Sequence, residues 1–141
     1  MNTAFPAFQD ALYAVIAAAV TGTPVSLGYP AGGLQKSHVW VAGSGSVQLD
    51  DGVSGYGQRD ETMTTEVRVK VDRLANEFTT ARDAAFTLTQ DIEAAIAADV
   101  TLGGAVDFAR VTEVSTEEAI PDERTRSVGV VLTVTATKAV G

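Results

Sequence analysis

Few residues in this chain have the type and spacing that catalysis requires. His38 is the single histidine and the chain has no cysteine, so acid–base work would need His38 beside both a carboxylate and a nucleophile. His38 instead begins a predicted strand two residues before Trp40, where packing is the simpler interpretation. The sequence has no phosphate-binding loop, dinucleotide fingerprint or nucleophile elbow. We therefore expect no catalytic residues, no cofactor and no enzymatic activity.

Paired carboxylates suggest a second kind of chemistry, the binding of a hard cation such as calcium. Asp50-Asp51-Gly52 and Asp60-Glu61 supply such pairs. The ligand spacing of a helix-loop-helix calcium site is missing, and Asp-Gly is equally typical of a turn. We expect no metal site.

A third cluster combines acids with arginines. Glu117, Glu118, Asp122 and Glu123 precede Arg124 and Arg126 in one charged segment. One interpretation is a solvated charge cluster, and the other is a set of ion pairs to a neighbouring subunit.

Composition limits the classes of partner. The chain has 141 residues, of which 45% are hydrophobic and 20% charged, with a net charge of -8. This size favours one globular domain spanning residues 1–141. The acidic surface argues against nucleic-acid binding. The apolar segment Ala14–Val20 is too short to span a bilayer and lacks a preceding basic region, so we expect synthesis in the cytoplasm and no membrane partner.

Two amphipathic segments predict helices. Apolar residues at helical spacing predict the first over about Thr3–Val20, with Thr3 as the candidate cap and Pro6 in the first turn. The second is predicted over about Thr80–Asp99, where Thr80 and Asp83 resemble a capping box.

Alternation of apolar and polar residues predicts the strands. It is clearest from Met63 to Leu74. A sheet with one polar, solvent-exposed face is typical of antiparallel pairing. The last strand, Ser127–Thr137, has few charges and is expected at the sheet centre. The other predicted strands are Val25–Tyr29, one beginning at His38, and Val106–Val114. The predicted fold class is α+β, with an antiparallel or at most mixed sheet of four to five strands and two helices packed on one face.

Two segments lack this alternation and are predicted as long connections. Gly43–Asp60 contains five glycines, and a loop of that length inside a compact domain is typically functional or disordered. Ser115–Arg126 is the charged connection between the last two strands. Binding concentrates in such segments when a rigid scaffold positions them.

The chain as a whole resembles the tail terminator, or tail completion, proteins of long-tailed bacteriophages and phage-derived particles. The resembling features are the first helix, the Gly22-Thr23-Pro24-Val25 step, the glycine-rich segment, the strand Thr65–Val71, the helix with Ala81–Ile96, and the paired C-terminal strands with Arg124-Thr125-Arg126. The resemblance implies a virion structural protein of the tail or neck. Such a protein forms a homo-oligomeric, hexameric ring that caps the tail tube, ends its polymerisation and joins a head-side connector.

The resemblance makes the tail tube protein and the head-tail connector or stopper protein the expected partners. A connector or stopper role in the neck remains the first alternative, and a small-molecule binding module is the second. Subunit or tube contacts are expected at polar residues of the two long segments and of the predicted strand Met63–Leu74. These residues are Gln48, Asp50, Asp51, Tyr56, Arg59, Glu66, Arg68, Lys70, Glu117, Glu118, Arg124 and Arg126.

Overall fold

The computed structural model describes residues 3–32, 36–50 and 59–140. Within these ranges the helices are α1 (Phe5–Ala19) and α2 (Phe78–Ala98), and a 3-10 turn (Ala75–Glu77) precedes α2. The strands are β1 (Val25–Leu27), β2 (Ser37–Asp50), β3 (Arg59–Leu74), β4 (Phe108–Asp122) and β5 (Thr125–Val140).

The strands form one mixed sheet in the order β1-β2-β3-β5-β4. The β1–β2 pair is parallel and the other three pairs are antiparallel. The predicted α+β class is therefore confirmed. β5 is an interior strand between β3 and β4, as its low charge predicted, although β3 is the middle strand.

The hydrophobic core lies between the two helices and one face of the sheet. Phe8, Leu12 and Ile16 of α1 and Ile92 and Ile96 of α2 are all buried in it. The sheet contributes alternate residues of its interior strands, which confirms the predicted alternation. These residues are Val39, Val41, Met63, Val67, Val69, Val71, Val128, Val130, Leu132, Val134 and Ala136.

The caps of both helices differ from prediction. The N-cap of α1 is Ala4, one residue after the predicted Thr3, and the cap of α2 is Glu77 rather than Thr80. Thr80 lies inside the first turn, so the predicted capping box is wrong. The last turn of α1 ends at Ala19, close to the predicted end.

The prediction of a loop over the glycine-rich segment is wrong at both ends of the segment, because β2 continues to Asp50 and β3 begins at Arg59. Residues 51–58 of that segment lie outside the described residues. Gly45 pairs with Thr65 directly after a bulge in which Ala42, Gly43 and Ser44 face one residue of β3. A glycine in a strand marks a bulge or a close approach, and here both occur.

The α1 helix supports this bulge. Gln9 Nε2 donates to the carbonyl of Ala42 at 3.0 Å, and Thr65 Oγ1 donates to the carbonyl of Ser44 at 2.9 Å. A Cβ on Gly45 would lie 2.5 Å from Phe5 Cζ and in contact with the Thr64 carbonyl oxygen. Only glycine therefore allows the first turn of α1 to rest on the strand.

The charged segment before the last strand was also predicted wrongly as a connection. β4 continues to Asp122, and only Glu123 and Arg124 form the turn to β5. Every residue from 112 to 124 is exposed, so neither face imposes the apolar alternation by which a strand is recognised.

Candidate functional site

The face of the sheet opposite the helices, which we call the open face, carries the polar residues of the middle strand. Glu66, Arg68, Lys70 and Asp72 alternate with the core residues of β3. They form two local ion pairs, Arg68 with Glu66 at 2.9 Å and Lys70 with Asp72 at 3.1 Å. The side chains are only 22–40% exposed, so their aliphatic stems cover the sheet while their charged ends face outward.

A shallow groove of about 200 Å³ crosses the open face. Strand register places Lys70, Gly129 and Glu117 side by side on β3, β5 and β4. Because Gly129 has no side chain, Glu117 Oε2 lies 3.9 Å from where its Cβ would be. Trp40 and Val131 add apolar surface. Lys70 thus makes one side of the groove basic, Glu117 makes the other side acidic, and Trp40 and Val131 supply its apolar surface.

Residues 112–124 of the β4–β5 hairpin are exposed along the edge and turn of the sheet, and we call them the arm. Its stretch from Glu113 to Glu123 contains five acids and no basic residue. Ile120 is 61% exposed among these acids. Within the described part of the chain, no ion pair joins the acids of the arm to Arg124 or Arg126.

The opposite edge of the sheet carries a large concavity of about 1090 Å³, which we call the β1 cavity. Its apolar lining comes from Pro24, Leu27, Tyr29 and Pro30. Leu27 is 45% and Tyr29 67% exposed. Lys36 and Arg73 give the cavity a positive charge, and neither forms an ion pair with another described residue.

The histidine lies at the wall of the β1 cavity. His38 is buried, its ring packs against Trp40 at 6.3 Å between centroids, and its Nε2 lies 2.8 Å from Ser26 Oγ. Burial lowers the pKa of His38 below its ordinary value of 6.5. The pair joins β1 to β2, since Ser26 belongs to β1 and His38 to β2.

Of the described candidate calcium carboxylates, Asp50 and Asp60 lie side by side and Glu61 lies apart from them. Glu61 is fully buried on the helix side of the sheet, whereas its neighbour Asp60 lies on the other face. Asp50 is the cross-strand neighbour of Asp60, and Asp51 lies outside the described residues. Across the described ranges no three potential metal ligands are grouped.

The structure separates the predicted contact residues into three groups. Glu66, Arg68, Lys70 and Glu117 lie on the open face, where they surround or adjoin the groove. Glu118 and Arg124 belong to the arm, where Arg124 lies in the turn, and Arg126 follows as the second residue of β5. Gln48 and Asp50 lie at the C-terminal end of β2. Arg59 is the first residue of β3 and pairs with Val140 at the end of β5. Asp51 and Tyr56 lie outside the described residues.

Sequence reasoning missed an apolar residue at each edge of the sheet, Leu27 on one side and Ile120 on the other. The signal for Ile120 was present, since it is an isolated large apolar residue within an acidic segment. No comparable signal marked the β1 cavity, because Lys36 and Arg73 reach it from distant parts of the sequence.

No protein-family model matches the chain, and no curated protein matches it. Among solved structures, the chain is similar to one from the virion of a native gene transfer agent (GTA) particle. The two are 16% identical with a TM-score of 0.42, over 92% of this chain and 93% of that chain. No helix in the described ranges has the length and apolar character to cross a membrane.

Proposed function

We propose that this chain is a structural protein of a phage-like virion that assembles into a ring on the end of the tail tube. The ring, which the family resemblance implies to be hexameric, would stop tube polymerisation and join the tail to the head-side connector. The observation that carries the proposal is the uncovered open face, which continues into an arm exposed over residues 112–124. Exposed surfaces held by a rigid sheet are typical binding surfaces.

The charge pattern of the open face supports a protein partner. Arg68 and Glu66 present both signs within 2.9 Å, and Glu117 lies across Gly129 from Lys70. Interleaved charges of both signs orient a partner and suppress wrong ones. We assign the subunit or tube contacts to Glu66, Arg68, Lys70 and Glu117 first. The remaining predicted contacts are Gln48, Asp50, Arg59, Glu118, Arg124 and Arg126, with Asp51 and Tyr56 of the undescribed segment.

The test is a capping assay with a matched pair of arginine variants. The purified chain should form rings visible by negative-stain electron microscopy, and it should limit tube length when added to polymerising tail tube protein from the same particle. Arg68→Glu should weaken one of these activities. Arg82→Glu is the control, because Arg82 also has a local ion pair, with Asp83 at 3.1 Å, but lies on the exposed side of α2.

The alternatives predict different results. A connector or stopper would bind the head-side partner and leave tube length unchanged. A protein that is monomeric at all concentrations and does not bind tube ends would refute the assembly role. Equal effects of Arg68→Glu and Arg82→Glu would remove the open face from the contact surface.

A further inference from the structure

The tip of the arm presents one exposed apolar side chain among charged residues. Ile120 is 61% exposed and belongs to β4. Glu118, Asp122 and Glu123 lie around it in sequence, Arg124 follows in the turn, and all four are exposed. An apolar side chain surrounded by acids is matched by an apolar pocket with a basic rim.

The β1 cavity has these properties. Its apolar surface includes Leu27 and Tyr29, and its two cations, Lys36 and Arg73, have no acidic partner among the described residues. Arg73 Nη1 donates to the carbonyl of Asp72 at 2.8 Å, which positions the guanidinium. Asp72 and Glu77 line the adjoining concavity with Lys36 and Arg73.

Ile120 of the arm and Leu27 of the cavity cannot meet within one copy. β4 and β1 are the two edge strands, and three strands separate them. An arm inserted into a β1 cavity therefore belongs to another copy. Pairing of two β4 edges would bring acidic segments together, which opposes a symmetric dimer through the arm.

We infer that copies of this chain associate head to tail, with the arm tip of one copy inserted into the β1 cavity of the next. Ile120 contacts the apolar lining, and Glu118, Asp122 and Glu123 face Lys36 and Arg73. Because this interface joins two different surfaces, it repeats from copy to copy until a ring closes. The inference rests on the proposed function and adds to it the surfaces and direction of subunit contact.

Complementation between two variants tests this arrangement. Ile120→Asp disables the arm tip, and Leu27→Asp places a carboxylate in the cavity. Each variant alone should be monomeric, with association weakened by about 30-fold or more, as for a central contact residue. An equimolar mixture should form heterodimers, because one intact tip and one intact cavity remain. Phe86→Asp is the control, since Phe86 is 36% exposed on α2 and belongs to neither surface, and it should assemble like the unmodified chain.

Light scattering after size exclusion gives the masses, and circular dichroism verifies that each variant is folded. Cross-linking provides a second measurement, because the chain has no cysteine. Copies carrying Leu27→Cys mixed with copies carrying Ile120→Cys should form the mixed disulfide in preference to either symmetric one.

The outcomes separate this inference from the proposed function. The head-to-tail interface is refuted if the unmodified chain and both variants all form rings, or if cross-links form only between two Ile120→Cys copies. Neither outcome refutes the proposed ring. If the folded variants are monomeric and their mixture stays monomeric, the direction of contact is also refuted. An unmodified chain that never associates, alone or on tube ends, refutes both.

Discussion

Glu61 connects the start of α1 to β3, and its replacement should cost more stability than any exposed acid. It is fully buried. Its Oε2 accepts a hydrogen bond from Thr3 Oγ1 at 2.7 Å, and its Oε1 accepts one from the Ala4 backbone N–H at 2.8 Å. A carboxylate at a helix N-terminus satisfies unpaired backbone donors and interacts favourably with the helix dipole.

The magnitude follows from these two contacts. A hydrogen bond to a charged group contributes about 1.5–3 kcal/mol. Thr3 and Ala4 are half-buried, so water recovers part of the loss when the carboxylate is removed. We expect Glu61→Ala to lower the free energy of unfolding by roughly 3 kcal/mol, which is roughly 6–12 °C in Tm for a domain near this size. Glu61→Gln keeps one acceptor and should lose about half as much.

Urea unfolding measures the change, with fluorescence of Trp40, the single tryptophan, as the probe. A double-mutant cycle with Thr3→Ala isolates the contact to the hydroxyl, and its coupling energy should be about 1 kcal/mol. The control is Glu93→Ala on α2, an exposed acid, which should stay within about 0.5 kcal/mol of the unmodified chain.

Two results would refute the reasoning on Glu61. One is a decrease of less than about 1 kcal/mol in the free energy of unfolding for Glu61→Ala, since removing a buried carboxylate that accepts two hydrogen bonds should cost more than this. The other is strict additivity of Thr3→Ala and Glu61→Ala, which would mean that the two side chains do not interact.

Two further predictions concern β2. Gly45→Ala places a Cβ against Phe5 and the Thr64 carbonyl oxygen and should destabilise the fold by about 1–3 kcal/mol. Gly43→Ala, with open space around it, should cost much less in the same urea assay, and equal losses would contradict the clash. Because burial lowers the folded-state pKa of His38, its stabilising effect is complete above about pH 6.5 and is lost as pH falls through the folded-state pKa. Urea midpoints from pH 7.5 to 5.5 should fall for the unmodified chain and less for His38→Gln, whereas parallel profiles would show that His38 is not responsible.

The sequence predicted those elements in which one face is buried. Alternation from Met63 to Val71 identified the core face of β3 correctly, because every second side chain packs under the helices. Helical spacing likewise placed α1 and α2 within a few residues of their observed ends. In both cases burial by a neighbouring element creates the periodicity that the sequence displays.

The errors have three physical causes, of which the first is strand pairing without burial. β4 continues through Glu117 and Glu118 by hydrogen bonding to β5 while both of its faces stay exposed, so its side chains carry no signal. Gly45 was interpreted as part of a loop, but its small size is required by Phe5 of a distant helix. The β1 cavity combines residues separated by more than thirty positions, Lys36 and Arg73, which only the folded sheet brings together.

The position of β5 has a consequence for the order of folding during synthesis. β5 pairs along its whole length with β3, from Arg59–Val140 to Leu74–Thr125, yet it follows the other described strands in the sequence and is synthesised after them. Until then β3, with 16 residues, presents a long open edge that is prone to wrong pairing. Glu66, Arg68 and Lys70 place charges along β3, and charged side chains on an edge strand oppose wrong pairing.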